Sequence, residues 1–233
     1  MSSLNKIFQK IYVVSLVSEL KRRNNIKLLS NKFDFDFEFI DAVDYKNIDF
    51  QQLKMDKKIA YPDNDFYCTK KCTCSGRGHD LNIRAVASSL SHLKVWKLII
   101  KNNLKNALIL EDDVYFEDGL NEKMKIIEPL IPQNWNYINL GRNNSFKDSR
   151  KLIQKIKKGF SGCQMYGISN TGARIAAESF YPIRAIVDGY LDHFVIQKRW
   201  DSVKLKNCYA TTENFGKNGS IDGKFETNVK KWF

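Results

Sequence analysis

Three consecutive carboxylates, Glu111-Asp112-Asp113, stand out in the sequence as residues that could do chemistry. They directly follow residues 107–110, an apolar run that is typical of a buried strand. Because like charges crowded together repel one another, a cation is expected to compensate them. Carboxylate oxygens suit hard divalent cations, so the run predicts a Mn²⁺ or Mg²⁺ site with Glu111 and Asp113 as ligands. A solvated acidic turn that caps the next helix is the alternative interpretation.

The position of this acidic run suggests a reaction. Open α/β sheets bind ligands at the carboxyl ends of their strands, which is where the run would lie. A divalent cation there can bridge the two phosphates of a nucleotide-sugar and stabilise the charge on the leaving diphosphate. Metal-dependent phosphoryl transfer or nuclease chemistry is another interpretation, although it usually needs further carboxylates that hold two metals.

Strand and helix patterns alternate around the acidic run. Residues 11–16 predict a buried strand, residues 18–29 a basic helix with Ser18 as candidate N-cap, and residues 33–40 a second strand. This β-α-β opening is typical of a parallel doubly wound sheet.

The remaining elements fit the same α/β class. Residues 45–80 predict a long loop with a short helix near residues 50–55, and the tail from Asn207 is expected to be irregular. The other predicted elements are helices over residues 81–101 (capped by Asp80), 120–127, 173–180 (opened by Asn170 or Thr171) and 187–199, and strands over residues 107–110, 137–141 and 163–168.

Length and charge narrow the class of protein. The 233 residues fit one large α/β domain, and the formal net charge of +12 favours anionic partners. We find no clear signal peptide and no apolar run long enough to cross a bilayer, so a cytoplasmic or peripheral protein is expected. A basic nucleic-acid-binding protein is the alternative function. Lys and Arg are spread along the chain without a recognised binding module, so no nucleic-acid partner is expected.

The five cysteines are an odd number, which favours reduced thiols in the cytosol. Cys68, Cys72 and Cys74 with His79 could form a Cys3His zinc site, but their spacing is not a standard zinc-finger pattern. Free loop thiols are the preferred interpretation.

The order of several motifs resembles glycosyltransferase family 25, which includes lipooligosaccharide and lipopolysaccharide galactosyl- and glucosyltransferases and collagen-modifying relatives. Each motif alone is modest, whereas the ordered set is specific. The resemblance is carried by Tyr12-Val13-Val14-Ser15-Leu16 with Lys21-Arg22-Arg23, by Asp41-Ala42-Val43-Asp44, by Ser91-His92 followed by Leu110-Glu111-Asp112-Asp113, and by Tyr166-Gly167-Ile168-Ser169 with Gly172-Ala173 and Val187-Asp188-Gly189.

The resemblance implies a GT-A-like, Rossmann-type fold with a mostly parallel central sheet flanked by helices. It also implies an inverting transfer of a hexose, commonly galactose from UDP-galactose, onto a lipooligosaccharide or lipopolysaccharide glycan. We therefore expect one glycosyltransferase domain over residues 1–233, with the donor bound by residues 10–145 and the acceptor by residues 146–233. A basic surface could also bring such a protein to the anionic cytoplasmic face of a membrane.

An inverting displacement needs a general base near the acceptor hydroxyl. Asp188 is the favoured candidate because it matches the Val-Asp that precedes the family's late helix. Asp192, four residues further along the same helix face, and Glu213 are the other candidates. A helix cap is the structural alternative for Asp188.

The expected donor-binding residues lie near the predicted sheet edge. They are Ser15, Arg22, Ser91, His92, Glu111 and Asp112. A solvated basic helix face is the alternative interpretation of Arg22, and a buried structural role is the alternative for His92.

A catalytically inactive relative is a further alternative for the whole chain, and the intact acidic run argues against it.

Overall fold

A computed structural model describes most of the chain. The predicted cap Asp80 and the candidate zinc ligands Cys68, Cys72, Cys74 and His79 lie outside the described residues. The described residues are 3–60, 81–141, 151–157, 162–196, 205–220 and 223–224, without the side chains of residues 192–196.

A seven-stranded sheet forms the centre of the described part of the chain. Its order is β2-β1-β3-β7-β5-β8-β6, and a separate two-stranded sheet pairs β4 with β9. Strands β1, β2, β3, β5 and β8 run in one direction, and β7 and β6 run in the other, so the sheet is mostly parallel. The strands are β1 (Lys10–Ser15), β2 (Glu38–Asp41), β3 (Asn106–Glu111), β4 (Val114–Tyr115), β5 (Tyr137–Gly141), β6 (Ile153–Lys155), β7 (Met165–Ser169), β8 (Cys208–Thr211) and β9 (Lys217–Asn218).

Helices pack on both faces of the sheet, as the Rossmann-type interpretation predicts. Strand β1 explains why: Tyr12 and Val14 enter one apolar cluster, and Ile11 and Val13 enter the other, because successive strand residues face opposite sides. Residues of α4, α6 and α7 complete the first cluster, and residues of α1, α2 and α5 complete the second. The α-helices are α1 (Ser3–Ile7), α2 (Leu20–Phe33), α3 (Phe50–Met55), α4 (Ile83–Lys101), α5 (Leu120–Ile127), α6 (Asn170–Glu178) and α7 (Val187–Ile196).

Several predicted boundaries are confirmed and others are wrong. The short helix α3, helix α5 and strand β5 have the predicted bounds. The predicted strand over residues 33–40 is too long, because α2 continues to Phe33 and the left-handed backbone of Asp34 ends it. Ser18 does not cap α2, whose N-cap is Glu19. For helix α4, where the sequence predicted Asp80 as the cap, the N-cap is Asn82. Its side-chain oxygen accepts a hydrogen bond from the backbone N–H of Ala85.

The tail from Asn207 is the largest correction to the predicted fold. The sequence predicts an irregular tail, yet β8 lies inside the main sheet between β5 and β6, and β9 pairs with β4 next to the acidic run. Both strands are short, and their partners lie far away in sequence, so local patterns gave little sign of them.

Among the helices that the structure describes, none has the length and apolar composition needed to cross a membrane.

Candidate functional site

A cleft of about 360 Å³ lies at the carboxyl ends of β1, β2 and β3. Because these three strands are parallel neighbours, Ser15, Glu111 and the residues after Asp41 meet at one edge of the sheet. The acidic run Glu111-Asp112-Asp113 lies on the cleft wall, as the sequence predicted from the strand before it.

Asp112 is held on both of its carboxylate oxygens. The Arg22 guanidinium donates to Oδ1 at 2.9 Å, and the Ser15 hydroxyl donates to Oδ2 at 2.7 Å. Burial raises the pKa of Asp112, while Arg22 and Ser15 lower it. Three candidate donor-binding residues are therefore bonded to one another, and they fix the acidic run onto β1 and α2.

Asp113 is also buried, but only one of its carboxylate oxygens is paired. Its Oδ2 accepts a hydrogen bond from the Ser220 hydroxyl at 2.6 Å. Its Oδ1 is buried and has no hydrogen-bond partner among the residues that the structure describes. Burial, and then the nearby charge of Glu111, raises the pKa of Asp113 to about 6. A buried carboxylate oxygen without a donor is well suited to a cation.

Ser220 is a site residue that the sequence did not reveal. It accepts from Arg22 Nη2 at 3.0 Å while it donates to Asp113, so it joins α2 to the acidic run. The neighbouring Gly219 N–H donates to the Asp113 carbonyl oxygen at 2.7 Å, next to the β4–β9 pair. A lone serine in an apparently irregular tail carries no sequence signal that could have identified this role.

Glu111, the last residue of β3, approaches two buried side chains. Its Oε1 lies 3.4 Å from Cys163 Sγ and 3.7 Å from His92 Nε2. His92 Nδ1 lies 2.8 Å from the Tyr166 hydroxyl oxygen, which also accepts from Trp96 Nε1 at 3.0 Å. His92 therefore lies at the cleft, in contact with Glu111, and its other ring nitrogen is bonded to the core.

Ser91 lines the same cleft, but its hydrogen bonds go to the backbone. Its hydroxyl donates to the Ala87 carbonyl oxygen at 2.7 Å and accepts from the Val43 N–H at 2.9 Å. Ser91 thereby fastens the segment after β2 onto α4, which shapes the cleft wall.

The candidate bases lie in different places. Asp188, at the start of α7, accepts from the Gly162 N–H at 3.2 Å and from the Gly189 N–H at 2.8 Å. Asp188 and Glu111 therefore contact adjacent residues of one segment, Gly162 and Cys163. Asp192 is within α7, and its side chain lies outside the described part of the structure. Glu213 lies in a separate groove and pairs with Lys123 at 2.9 Å.

The donor set of the cleft fits a hard divalent cation. Glu111, Asp112 and Asp113 bring three carboxylates together, and the Arg22 guanidinium contacts Asp112 and Asp113. Asp112 has both oxygens occupied, whereas Asp113 Oδ1 and the partly exposed Glu111 carboxylate remain for a metal. Oxygen ligands of this kind suit Mg²⁺ or Mn²⁺.

Sequence comparison assigns the family. The sequence model of glycosyltransferase family 25 (LPS biosynthesis protein) matches residues 8–191, which contain β1, α4, the acidic run and the start of α7. The chain belongs to glycosyltransferase family 25. The matched part of this family 25 chain therefore includes all the residues that line the cleft.

Curated relatives of the family 25 chain have different names. Mouse procollagen galactosyltransferase 2 is 28% identical over 154 residues, which cover 64% of this chain and 23% of the relative. A putative glycosyltransferase of Haemophilus influenzae is 27% identical over 177 residues (73% and 57%). Mouse inactive glycosyltransferase 25 family member 3 is 26% identical over 180 residues (72% and 28%). The chain thus spans less than a third of the two mouse relatives and just over half of the bacterial one.

A solved structure was also found, a glycosyltransferase involved in the glycosylation of the major capsid of PBCV-1. The two sequences are 9% identical, and the structural match covers 83% of this chain and 68% of the solved chain, with a TM-score of 0.35. The fold assignment of the family 25 chain rests on its strand order and its helices on both faces.

Proposed function

We propose that this chain transfers a hexose, galactose from UDP-galactose, onto a lipooligosaccharide or lipopolysaccharide glycan with inversion. Family 25 membership supports a glycosyltransferase, and the name of the mouse procollagen galactosyltransferase supports galactose as the sugar. The observation that carries the proposal is the buried Oδ1 of Asp113, which has no donor among the described residues and lies at the cleft of about 360 Å³.

In this proposal Glu111 and Asp113 hold Mn²⁺ or Mg²⁺. The bound ion would supply charge stabilisation for the leaving diphosphate. Asp112 is not needed as a ligand, because Arg22 and Ser15 occupy both of its oxygens and keep the run in place. The residues that line the cleft all fall within residues 10–145, the part expected to bind the donor.

Asp188 is the proposed general base. Two backbone N–H groups hold its carboxylate at the N-terminal turn of α7, where the helix dipole also favours negative charge. Its oxygens would accept the proton of the acceptor hydroxyl as the new glycosidic bond forms. Asp192 remains the second candidate. Glu213 takes no part, because it pairs with Lys123 in another groove.

A change of Asp188 to Asn tests this role. The amide keeps the shape and one acceptor oxygen but cannot take the proton, so we expect the turnover number to fall about 10²- to 10⁴-fold. Donor affinity should stay within about twofold, since Asp188 acts on the acceptor. Steady-state transfer and donor titration measure the two quantities, and an equal loss in both would contradict the assignment.

The acceptor and location belong to the same proposal. The net charge of +12 would favour an anionic glycolipid and the cytoplasmic face of a membrane over a neutral surface. Transfer that is indifferent to anionic vesicles would contradict the membrane part.

The direct experiment measures donor turnover. UDP-galactose, UDP-glucose and UDP-N-acetyl sugars are compared with Mn²⁺ or with EDTA, for the wild type, Asp113→Asn and Asp118→Asn. Asp118 is the matched control, an exposed carboxylate that pairs with Lys32 away from the cleft. Metal-dependent hydrolysis or transfer of one donor, lost in Asp113→Asn and kept in Asp118→Asn, supports the proposal. Turnover that persists in EDTA or in Asp113→Asn would contradict it.

A further inference from the structure

A second cluster of potential metal ligands lies beside the acidic run. It consists of His92 Nε2 from α4, Glu111 Oε1 from the end of β3, and Cys163 Sγ from the segment before β7. These three atoms all lie within 4.8 Å of one another. His92 and Cys163 are buried, whereas the Glu111 side chain is partly exposed to the cleft.

The spacings from Glu111 Oε1 to the other two ligand atoms fit tetrahedral coordination. Glu111 Oε1 is 3.4 Å from Cys163 Sγ and 3.7 Å from His92 Nε2. Bonds of about 2.0–2.3 Å to tetrahedral zinc place neighbouring ligand atoms roughly 3.3–3.7 Å apart. Glu111 Oε1 is therefore spaced from both of its neighbours as ligands of one shared ion would be.

The chemistry of the ligands distinguishes this cluster from the oxygen site. One imidazole, one thiolate and one carboxylate form a borderline-soft set that suits Zn²⁺, whereas Mg²⁺ and Mn²⁺ prefer oxygen ligands. We propose that His92, Glu111 and Cys163 form a binding site for Zn²⁺ that is separate in ligand chemistry from the Glu111–Asp113 site.

The surroundings support such a site. With Nε2 bound to a metal, the ring hydrogen lies on Nδ1, and the Tyr166 hydroxyl oxygen is 2.8 Å away as its acceptor. Ligating histidines commonly use their second nitrogen in this way. Trp96 Nε1 donates to the same oxygen and so fixes its position. His92 and Glu111 line the cleft, from which an ion would reach the three ligands, and binding would release the thiol proton of Cys163.

The shared Glu111 has a consequence that rests on the proposed function. A zinc ion that takes the Glu111 carboxylate withdraws it from the Mn²⁺ or Mg²⁺ site. Zinc is therefore expected to weaken donor binding in competition with Mn²⁺.

The site itself can be tested without any donor, so its failure is distinct from failure of the transferase proposal. Co²⁺ serves as the probe, because a bound thiolate gives a charge-transfer band in the near ultraviolet. The full chain is titrated after Cys68, Cys72 and Cys74 are changed to Ser, which removes the other potential thiol ligands except Cys208. We expect a band that saturates at a single ion per chain and that Zn²⁺ displaces.

Cys208 provides the matched control, because it is the other buried thiol among the described residues and donates to the Leu205 carbonyl oxygen. Cys208→Ser should keep the band, and Cys163→Ser should lose it. His92→Gln, which leaves the thiol in place, should weaken cobalt binding and serves as a second variant if Cys163→Ser does not fold. A parent protein without the band, or a band that survives in both Cys163→Ser and His92→Gln, would overturn the proposal.

Discussion

Two carboxylates that follow strands of the same direction, Asp113 after β3 and Glu213 after β8, occupy opposite environments. Asp113 is 7% exposed, and its Oδ1 has no donor among the described residues. The Glu213 side chain is 54% exposed and pairs with the Lys123 ammonium at 2.9 Å. Both lie at the edge of the sheet where the parallel strands end, so strand position alone does not make a site.

The difference shows what makes a carboxylate available for chemistry. At the end of β3, burial and then the nearby charge of Glu111 together raise the pKa of Asp113 to about 6. At the end of β8, the exposed Glu213 carboxylate pairs with the Lys123 ammonium, and an exposed pair of this kind contributes only about 0–1 kcal/mol. Only at the end of β3 is the charged form of a carboxylate disfavoured by burial, so that a bound cation would stabilise it.

The largest expected difference between the regions is in stability. Arg22→Met leaves Asp112 as a buried charge without its cation, which should lower the free energy of unfolding by about 3–5 kcal/mol. Lys123→Met breaks only the exposed pair with Glu213 and should cost about 0–1 kcal/mol. Urea unfolding of both variants measures the two values, and equal losses would remove the contrast between the regions.

A smaller effect is expected from the hydroxyl that positions Asp113. Ser220→Ala removes the hydrogen bond to Oδ2, so the carboxylate loses its orientation, and Mn²⁺ affinity should fall about 10- to 100-fold. Thr212→Ala, which removes a hydroxyl that donates to Leu152 O near Glu213, is the control and should leave the affinity unchanged. Calorimetric Mn²⁺ titration decides, and a similar affinity in both variants would show that Ser220 does not position the ligand.

The smallest expected effect is the change in stability for each pH unit in EDTA. The folded pKa of Asp113 is about 6, above its ordinary value of 3.8, so the native state binds more protons between these values. Stability relative to Asp113→Asn should therefore fall as pH rises from about 4 to about 6, by at most about 1.4 kcal/mol per pH unit. A difference between wild type and variant that is constant over this range would contradict the buried environment of Asp113. Glu213→Gln should show no such dependence.

The two regions also differ in how well the sequence predicted them. The apolar run before Glu111 indicated a buried strand. Because the ends of parallel strands meet at one edge of a sheet, Ser15 and Arg22 were expected near the acidic run, and both contact Asp112. Strand β8 and Ser220 were missed. Their positions depend on pairing with distant strands, and the bond from Ser220 to Asp113 spans 107 residues. Local periodicity carries no information about such contacts.

Calorimetric titration of UDP in the presence of Mn²⁺ tests the central claim most directly, for the wild type, Asp113→Asn and Glu213→Gln. The difference between the two carboxylates predicts that Asp113→Asn weakens UDP binding about 100-fold or more, because Asp113 would hold the ion that stabilises the charge of the diphosphate. It predicts that Glu213→Gln stays within about twofold of the wild type. Equal binding by all three proteins, or binding that EDTA does not change, would contradict the claim that the end of β3 holds the metal and the donor.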